Sequence, residues 1–506
     1  MELLFSFIVV KVLNNNILVF KSQNMKKTLF TIFLTALMTG VPLFGQTGKA
    51  PNLLESSIQK ELINKGTENF PTTEWIDFTD VSWYNSTSTS FTLSNAEQLA
   101  GLAKLVYDGN DFSGKTIILS NDIDVGKHLW TSIGYSYQKP FSGIFLGNNH
   151  TIKNVFINRP TGDFVGFFGQ AFKASLKDLK LDNVIIRAKG TAGCFVGNLS
   201  TNSSAENCHV TNGEIIGTDY NVGGFAGSLL TESFATNSSF EGYVEGINQI
   251  GGFTGSLWDK ATVTKSFAKG TVKGEYIIGG FVGFTTMAFG PNRTNVVKDS
   301  YCITDVEANI ERAGGFVGYA QFALNVENSY AVGNVASPIA VGSFAGMVGN
   351  AEFKNAHFDK TVSTIDAVGV LEMEGMLVDI TGNITSVMKN ETFAEILNAS
   401  NSDKPWRIVN GLNNNYPVLN FQNLGIQEYT SKELNLKIYP TITEKLLHIQ
   451  SNAKVLDYKI YDINGRIIPI NNKKMKEIDV SSFTKGVYII SVSTIEGTKN
   501  LKFIKK

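Results

Sequence analysis

Eight residues, Gly109-Asn110-Asp111-Phe112-Ser113-Gly114-Lys115-Thr116, have the glycine, lysine and threonine spacing of a phosphate-binding loop. Such a loop aims backbone N–H groups and a helix N-terminus at the phosphates, so a strand must precede it and a helix must follow. Here a helical pattern precedes and the strand-like run Thr116 to Leu119 follows, so the match is assigned to chance. Asp122 and Asp124, in Ser120-Asn121-Asp122-Ile123-Asp124, could form a carboxylate pair or a calcium site. At a strand end the plainer expectation is local turn bonding. A cleft that also held His150 would favour the catalytic reading. The five histidines, His128, His150, His209, His357 and His448, are dispersed, and none opens a His-Glu-x-x-His zinc helix. No Gly-x-Ser-x-Gly elbow and no glycine-rich calcium nonapeptide occurs in the sequence. No cofactor and no metal is expected.

Composition narrows the class further. The chain has 506 residues, too many for one ordinary domain, and its 43% hydrophobic content suffices for a packed core. Its 48 glycines and 35 phenylalanines suit many short strands with tight corners. Lys plus Arg (44) balances Asp plus Glu (45), which gives no electrostatic case for nucleic acid or an anionic membrane surface. Three cysteines, Cys194, Cys208 and Cys302, make no disulfide framework and read as small buried substituents.

The N-terminus reads as an address. Met25-Lys26-Lys27, the apolar run Leu29 to Val41 and then Phe44-Gly45-Gln46 have the layout of a secretory signal peptide. Met25 is the expected start, with cleavage near Gly45. No later stretch reaches the ~18 apolar residues of a membrane helix, so the mature chain is expected to lack a transmembrane segment.

An apolar-glycine phrase recurs downstream. Its anchors are Phe164, Phe195, Phe225, Phe253, Phe281, Phe316 and Phe344, spaced 31, 30, 28, 28, 35 and 28 residues apart. A second phrase recurs between them, as in Ser266-Phe267-Ala268, Ser300-Tyr301-Cys302 and Ser329-Tyr330-Ala331, with Cys208 and Ser238 in its first position. The two phrases are 13 residues apart in most copies but 19 apart from Phe281 to Ser300, so one coil carries six extra residues around Phe289-Gly290-Pro291-Asn292. A 28-residue period with glycine corners predicts a β-solenoid, because one coil cannot bury its own apolar face and stacked coils can. The seven phenylalanines are then expected to form an internal stack, with glycines taking corners or close approaches.

These phrases resemble the GLUG repeats of bacterial surface proteins, over about Asp163 to Val362 and upstream through Phe141 to Ile152. The resemblance implies architecture and does not fix an activity. The fold class expected is all-β: a right-handed β-solenoid of stacked ~28-residue coils with small helical caps, followed by a C-terminal β-sandwich.

Caps are expected because open sheet edges invite aggregation. Ser94-Asn95-Ala96-Glu97 reads as a capping box that opens a helix with Leu99, Leu102, Ala103 and Val106 on one face, ended by Gly109. Trp130 and Ile133 are expected to pack in this cap. At the other end, Thr392 to Glu395 predicts a short helix, with Trp406 to Val409 and Tyr416 to Leu419 completing a C-terminal cap. From Leu434 onward, alternating runs and Asn464-Gly465 predict a small sandwich. This segment resembles the C-terminal sorting domain of type IX secretion through Tyr439-Pro440, Tyr461 to Arg466 with Gly465, Gly486-Val487-Tyr488 and Lys505-Lys506. Thr441-Ile442 stands where that family usually has Asn-Pro. The resemblance implies the secretion machinery as a partner, then release or attachment to the outer-membrane surface of a Gram-negative bacterium.

The expected organisation is therefore 1–45 signal region, 46–90 linker, 91–160 N-terminal cap and opening coils, 161–365 repeat solenoid, 366–425 C-terminal cap and 432–506 sorting domain. One surface feature suggests binding. Phe267, Tyr301, Tyr330 and Phe358 share a register position beside the inward series Ala268, Cys302 and Ala331, so period-2 alternation turns them outward. An exposed aromatic strip would suit sugar rings or a protein ligand. The alternative is that these rings pack on the insertion loop or face the other way. The function expected is an adhesin-like module for a surface glycan or a host or matrix protein. A polysaccharide lyase or hydrolase on a β-helix, or a structural surface component, is the competing class.

Overall fold

The protein, seen here as a computed structural model, is described for residues 70–286, 293–373, 378–399, 401–423, 436–451, 455–462, 466–468, 470, 474, 476–494 and 497–506. The expected signal peptide, the insertion tip Phe289 to Asn292 and Gly465 lie outside these residues.

The chain winds into a β-solenoid of about ten turns. One coil comprises the strands Ala226–Leu230, Phe234–Thr236 and Ser239–Gly251. It pairs in parallel with the next coil through Ala226↔Thr254, Phe234↔Thr262, Ser239↔Phe267 and Ile250↔Ile278, all offset by 28 residues. This register lays like residue over like residue, so a column in space is a repeat position in sequence. One face is an eight-stranded sheet running from Phe168–Phe172 to Val368–Leu371, and a larger sheet wraps the remaining faces. The insertion is visible as a jump in offset, from 28 at Ser256↔Phe284 to 34 at Thr262↔Val296. A one-residue irregularity between Gly274 and Tyr276 then takes the offset to 35.

The core column of phenylalanines stacks nearly face to face. Phe195, Phe225, Phe253, Phe281, Phe316 and Phe344 have successive centroid distances of 4.8–4.9 Å and interplanar angles of 6–15°. Phe164 is not part of it, which corrects the sequence reading. It is half-buried, with φ 57°, in the left-handed corner column that continues as Thr191, Asn221 and Gln249. The cause is a lookalike phrase three residues upstream of the true one: Val165 lies opposite Ala192 and Phe168 opposite Val196, so Gly166-Phe167-Phe168-Gly169 is the copy that aligns with the Phe195 phrase. Phe168 therefore meets Phe195 at 5.7 Å, while Phe167 stacks on Trp130 at 5.1 Å. The phrase glycines serve close approach: a Cβ on Gly279 would lie 1.9 Å from the Val282 carbonyl oxygen.

Two corner ladders explain the second phrase. At this corner one residue of each coil is left-handed: Asn149, Asp178, Asn207, Asn237, Lys265, Asp299, Asn328 and Asn355 have φ between 48° and 62°. Asn and Asp tolerate this region better than most side chains and bond locally. The serine that follows bridges coils. Ser266 Oγ accepts from the Ser238 N–H at 3.2 Å and donates to the Thr264 carbonyl at 2.8 Å. Ser238, Ser300 and Ser329 repeat the motif. Cys208 holds the same column with its thiol 3.4 Å from the Glu206 carbonyl.

At the N-terminal end, helix α1 (Ala96–Tyr107) buries Leu99, Leu102, Ala103 and Val106. Its cap is one residue later than the sequence reading: Asn95 accepts from the Gln98 N–H, and the Gln98 side chain accepts from the Ser94 N–H, both at 2.9 Å. At the other end, helices α2 (Thr385–Met388) and α3 (Glu391–Asn398) lead to an antiparallel pair, Trp406–Arg407 with Val418–Leu419. This segment runs along the flank of the solenoid, reaching His209 and Phe267 through Phe421, whereas the sequence reading made it an end cap. The terminal strand keeps Val370 and Leu371 exposed.

The C-terminal domain has a three-stranded and a five-stranded sheet. Ile438, Leu447, Ile449 and Ile478 from one meet Tyr458, Ile460, Ile490, Val492 and Phe503 from the other in a single core. Among the described residues, no helix is long and apolar enough to cross a membrane.

Candidate functional site

The aromatic strip exists as a ladder but not as a surface. Phe267 and Tyr301 stack at 5.0 Å, and Tyr301 and Tyr330 at 4.9 Å. They point away from the coil interior, since Ala268, Cys302 and Ala331 beside them lie in the core. Yet Phe267 is 4% exposed, and Tyr301 and Tyr330 are 0% exposed. Met388, Phe393, Leu397, Trp406, Tyr416 and Leu419 of the flanking segment cover them. Gln422 Nε2 donates to the Tyr301 hydroxyl at 2.8 Å, and the Tyr330 hydroxyl donates to the Pro417 carbonyl at 2.5 Å. Burial pushes both phenols well above their ordinary pKa.

Phe358 belongs elsewhere. It pairs with Ala331 in the core column, and His357 occupies the ladder position opposite Tyr330. The strip is thus corrected from a ligand platform to the seat of a strap. Three stacked rings present a large apolar area, and the chain covers it with its own aromatics. Trp406, Tyr416 and Phe421, in a segment without repeats, were the signal for this in the sequence.

The carboxylate candidates are tied into corners. Asp122 accepts from the Thr151 N–H at 2.9 Å and lies 3.2 Å from His150 Nδ1. The Thr151 bond, with smaller help from His150 and Lys153, holds its pKa below the ordinary value. Asp124 accepts from Asn154 Nδ2 and from the Gly126 N–H, each at 2.9 Å. Asp124 thus makes the local turn bond through Gly126, whereas Asp122 bonds across to the next coil at Thr151 and His150. In the phosphate-loop lookalike, Lys115 Nζ donates to the Ser86 and Ser88 carbonyls at 3.1 and 2.8 Å, and Thr116 opens a strand. Cys194, Cys208 and Cys302 are buried, and burial raises all three thiols, Cys302 to about 12.

A different cluster lies on the N-terminal shoulder. Three elements assemble it: the end of α1, the loop 134–140 and the strand Thr151–Val165. Gly134, at φ 85° with its Cβ position 2.2 Å from the Gln170 carbonyl oxygen, admits no side chain and fixes where the loop leaves the coil. Tyr107 and Tyr135 meet edge to face at 5.0 Å. The Arg159 guanidinium lies 3.8 Å over the Tyr135 ring, and Lys139 Nζ lies 4.3 Å over the Tyr107 ring. Burial lowers the Arg159 pKa, opposed by Tyr135, Asp163 and Glu74. Tyr137, at the tip of a turn closed by the Lys139 N–H to the Ser136 carbonyl at 3.0 Å, is 63% exposed.

This arrangement contrasts with the rest of the solenoid. There, many cations are matched by acids on the next coil, as in Lys177–Glu206 at 2.9 Å, Lys273–Glu307 at 2.7 Å and Lys298–Glu327 at 3.2 Å. Among the described residues, neither Lys139 nor Arg159 forms an ion pair, and Arg159 Nη1 is buried without an acceptor. Sequence reasoning missed this cluster because its members share no period.

In the C-terminal domain, Tyr439 is 51% exposed and stacks on His448 at 5.3 Å. The Tyr488 hydroxyl donates to the Thr484 carbonyl at 2.9 Å. Lys505 is buried, with Nζ donating to the Lys506 carbonyl at 2.7 Å. Residues 437–506 match the family described as the secretion system C-terminal sorting domain. The tail marks the chain as cargo of the type IX secretion machinery, a secreted or cell-surface protein of bacteria of the Bacteroidetes type. No curated protein matches the chain.

Proposed function

We propose that this exported solenoid is an adhesin-like binding module of the GLUG-repeat type, held at the outer-membrane surface and presenting a ligand site for a glycan or a host or matrix protein. The observation that carries the reading is the shoulder cluster: an exposed tyrosine beside two cations that rest on tyrosine rings and form no ion pair among the described residues, on a rigid ladder. Rigidity matters, because a preformed site spends less binding free energy on ordering. Tyr439, Pro440, Gly465, Gly486, Tyr488, Lys505 and Lys506 are the residues proposed to be read by the secretion machinery.

A binding screen of the purified mature chain against glycans and matrix proteins, with every ligand checked for degradation, tests this reading. Saturable binding without turnover supports it. Cleavage of a bound polysaccharide would replace it with the lyase or hydrolase reading and direct attention to Asp122 and His150.

A further inference from the structure

We infer that the shoulder formed by Tyr107, Tyr135, Tyr137, Lys139 and Arg159 binds the acidic group of an anionic saccharide, a uronic acid or a sulfated sugar, with the sugar ring laid on Tyr137. The inference rests on the binding-module reading and adds the ligand class.

Three observations converge on it. First, Lys139 and Arg159 sit on rings that meet at 5.0 Å, and among the described residues neither forms an ion pair; Asp163 and Glu74 act on Arg159 from further off, which leaves Lys139 as the open charge. A cation over a tyrosine face is attracted by the ring, but no counter-charge cancels its field, unlike one in an ion pair. An arriving carboxylate or sulfate therefore displaces no internal acid. Second, the cations are held in place. Arg159 lies on Tyr135 on one side and passes over Gly162, where any side chain would collide with it. Lys139 is the contacting charge. Arg159, enclosed at Nη1, is a positioning charge that fixes Tyr135 and adds positive potential where water is thin. Third, the 63% exposed Tyr137 and the 36% exposed Tyr107 offer faces suited to the C–H side of a pyranose, next to the cation rather than apart from it. A nucleic acid would require a longer run of cations than these two. A sugar acid, with one charge for each ring or two, matches one lysine beside one exposed tyrosine.

The test titrates the full mature chain with polygalacturonate as the carboxylate probe, chondroitin sulfate as the sulfate probe and neutral dextran as control. At least one acidic polymer should bind about tenfold or more tightly than dextran, with affinity falling as salt rises from about 50 to 500 mM. Lys139→Ala and Tyr137→Ala should each weaken that binding about tenfold without lowering the melting temperature. Arg159→Lys keeps the charge but loses the planar stack, and should weaken binding in parallel with a loosened Tyr135. Equal binding of dextran, or acidic binding unchanged in Lys139→Ala and Tyr137→Ala, overturns the inference and leaves the binding-module reading standing. Failure to bind any glycan or matrix protein overturns both.

Discussion

Tyr301 and Tyr330 stack 4.9 Å apart at an interplanar angle of 7°, and both hydroxyls are bonded to the same C-terminal strap, Tyr301 accepting from Gln422 and Tyr330 donating to the Pro417 carbonyl. Consecutive coils are thereby clamped by a segment about a hundred residues further along the chain. Truncating Tyr330 to Ala removes a buried ring from both partners and should cost about 3–5 kcal/mol. Tyr330→Phe keeps the ring and removes only the hydroxyl's bonds to Pro417 and Asn413, and should cost about 1–2 kcal/mol. Thermal unfolding measures both changes. Limited proteolysis should show new cleavage near Asp403 in the alanine variant only.

The serine ladder gives a second test. Ser266→Ala leaves the Ser238 N–H without its 3.2 Å acceptor in a buried corner, which should cost about 1–3 kcal/mol. Ser266→Cys should be milder, because Cys208 already fills this column. Comparing the two melting temperatures separates hydrogen bonding from volume.

Acid should loosen the strap. His209 stacks with Phe421 at 5.5 Å, and His357 meets Phe393 at 5.1 Å. Burial lowers both pKa values to about 4, aided at His209 by Lys180 and opposed by Asp178 there and by Asp379 at His357. The unfolded chain takes up these protons near the ordinary value of 6.5. The stability they contribute is therefore complete above about pH 6.5, is lost as pH falls toward 4, and changes no further below that. The loss should reach up to about 3 kcal/mol for each histidine. A pH series of denaturant midpoints checks this, and His209→Gln with His357→Gln should flatten the slope.

Phe164 and Phe225 should behave differently despite occupying the same phrase. Phe225→Ala opens the core stack and should cost about 3–5 kcal/mol. Phe164→Asn places a left-handed-tolerant residue at φ 57° in a half-buried corner and should change stability by less than about 1 kcal/mol. Similar losses for both would contradict the register correction.

What the sequence disclosed follows from the same physics. Parallel coils stack like over like, so Phe225, Phe253 and Phe281 are legible as a period before any coordinate is known, and Ser266, Ser300 and Ser329 mark their corner. Phe164 misled because its Phe-Val-Gly phrase imitates the true copy, Gly166-Phe167-Phe168-Gly169, which begins three residues later. The outward direction of Tyr301 was readable from alternation, but its burial was not. Coverage depends on Gln422, 121 residues away, in a segment with no repeat to align. Tyr107, Lys139 and Arg159 come from a helix end, a loop and a strand, and nothing periodic brings them together.

The central claim is that this surface protein binds a ligand without transforming it. The most direct measurement is the equilibrium binding of the purified mature chain to immobilised glycans and matrix proteins, with product analysis of each bound ligand. Saturable binding to at least one class is expected, with the ligand intact after prolonged incubation. Binding to none of them, or depolymerisation of a bound glycan, would contradict it.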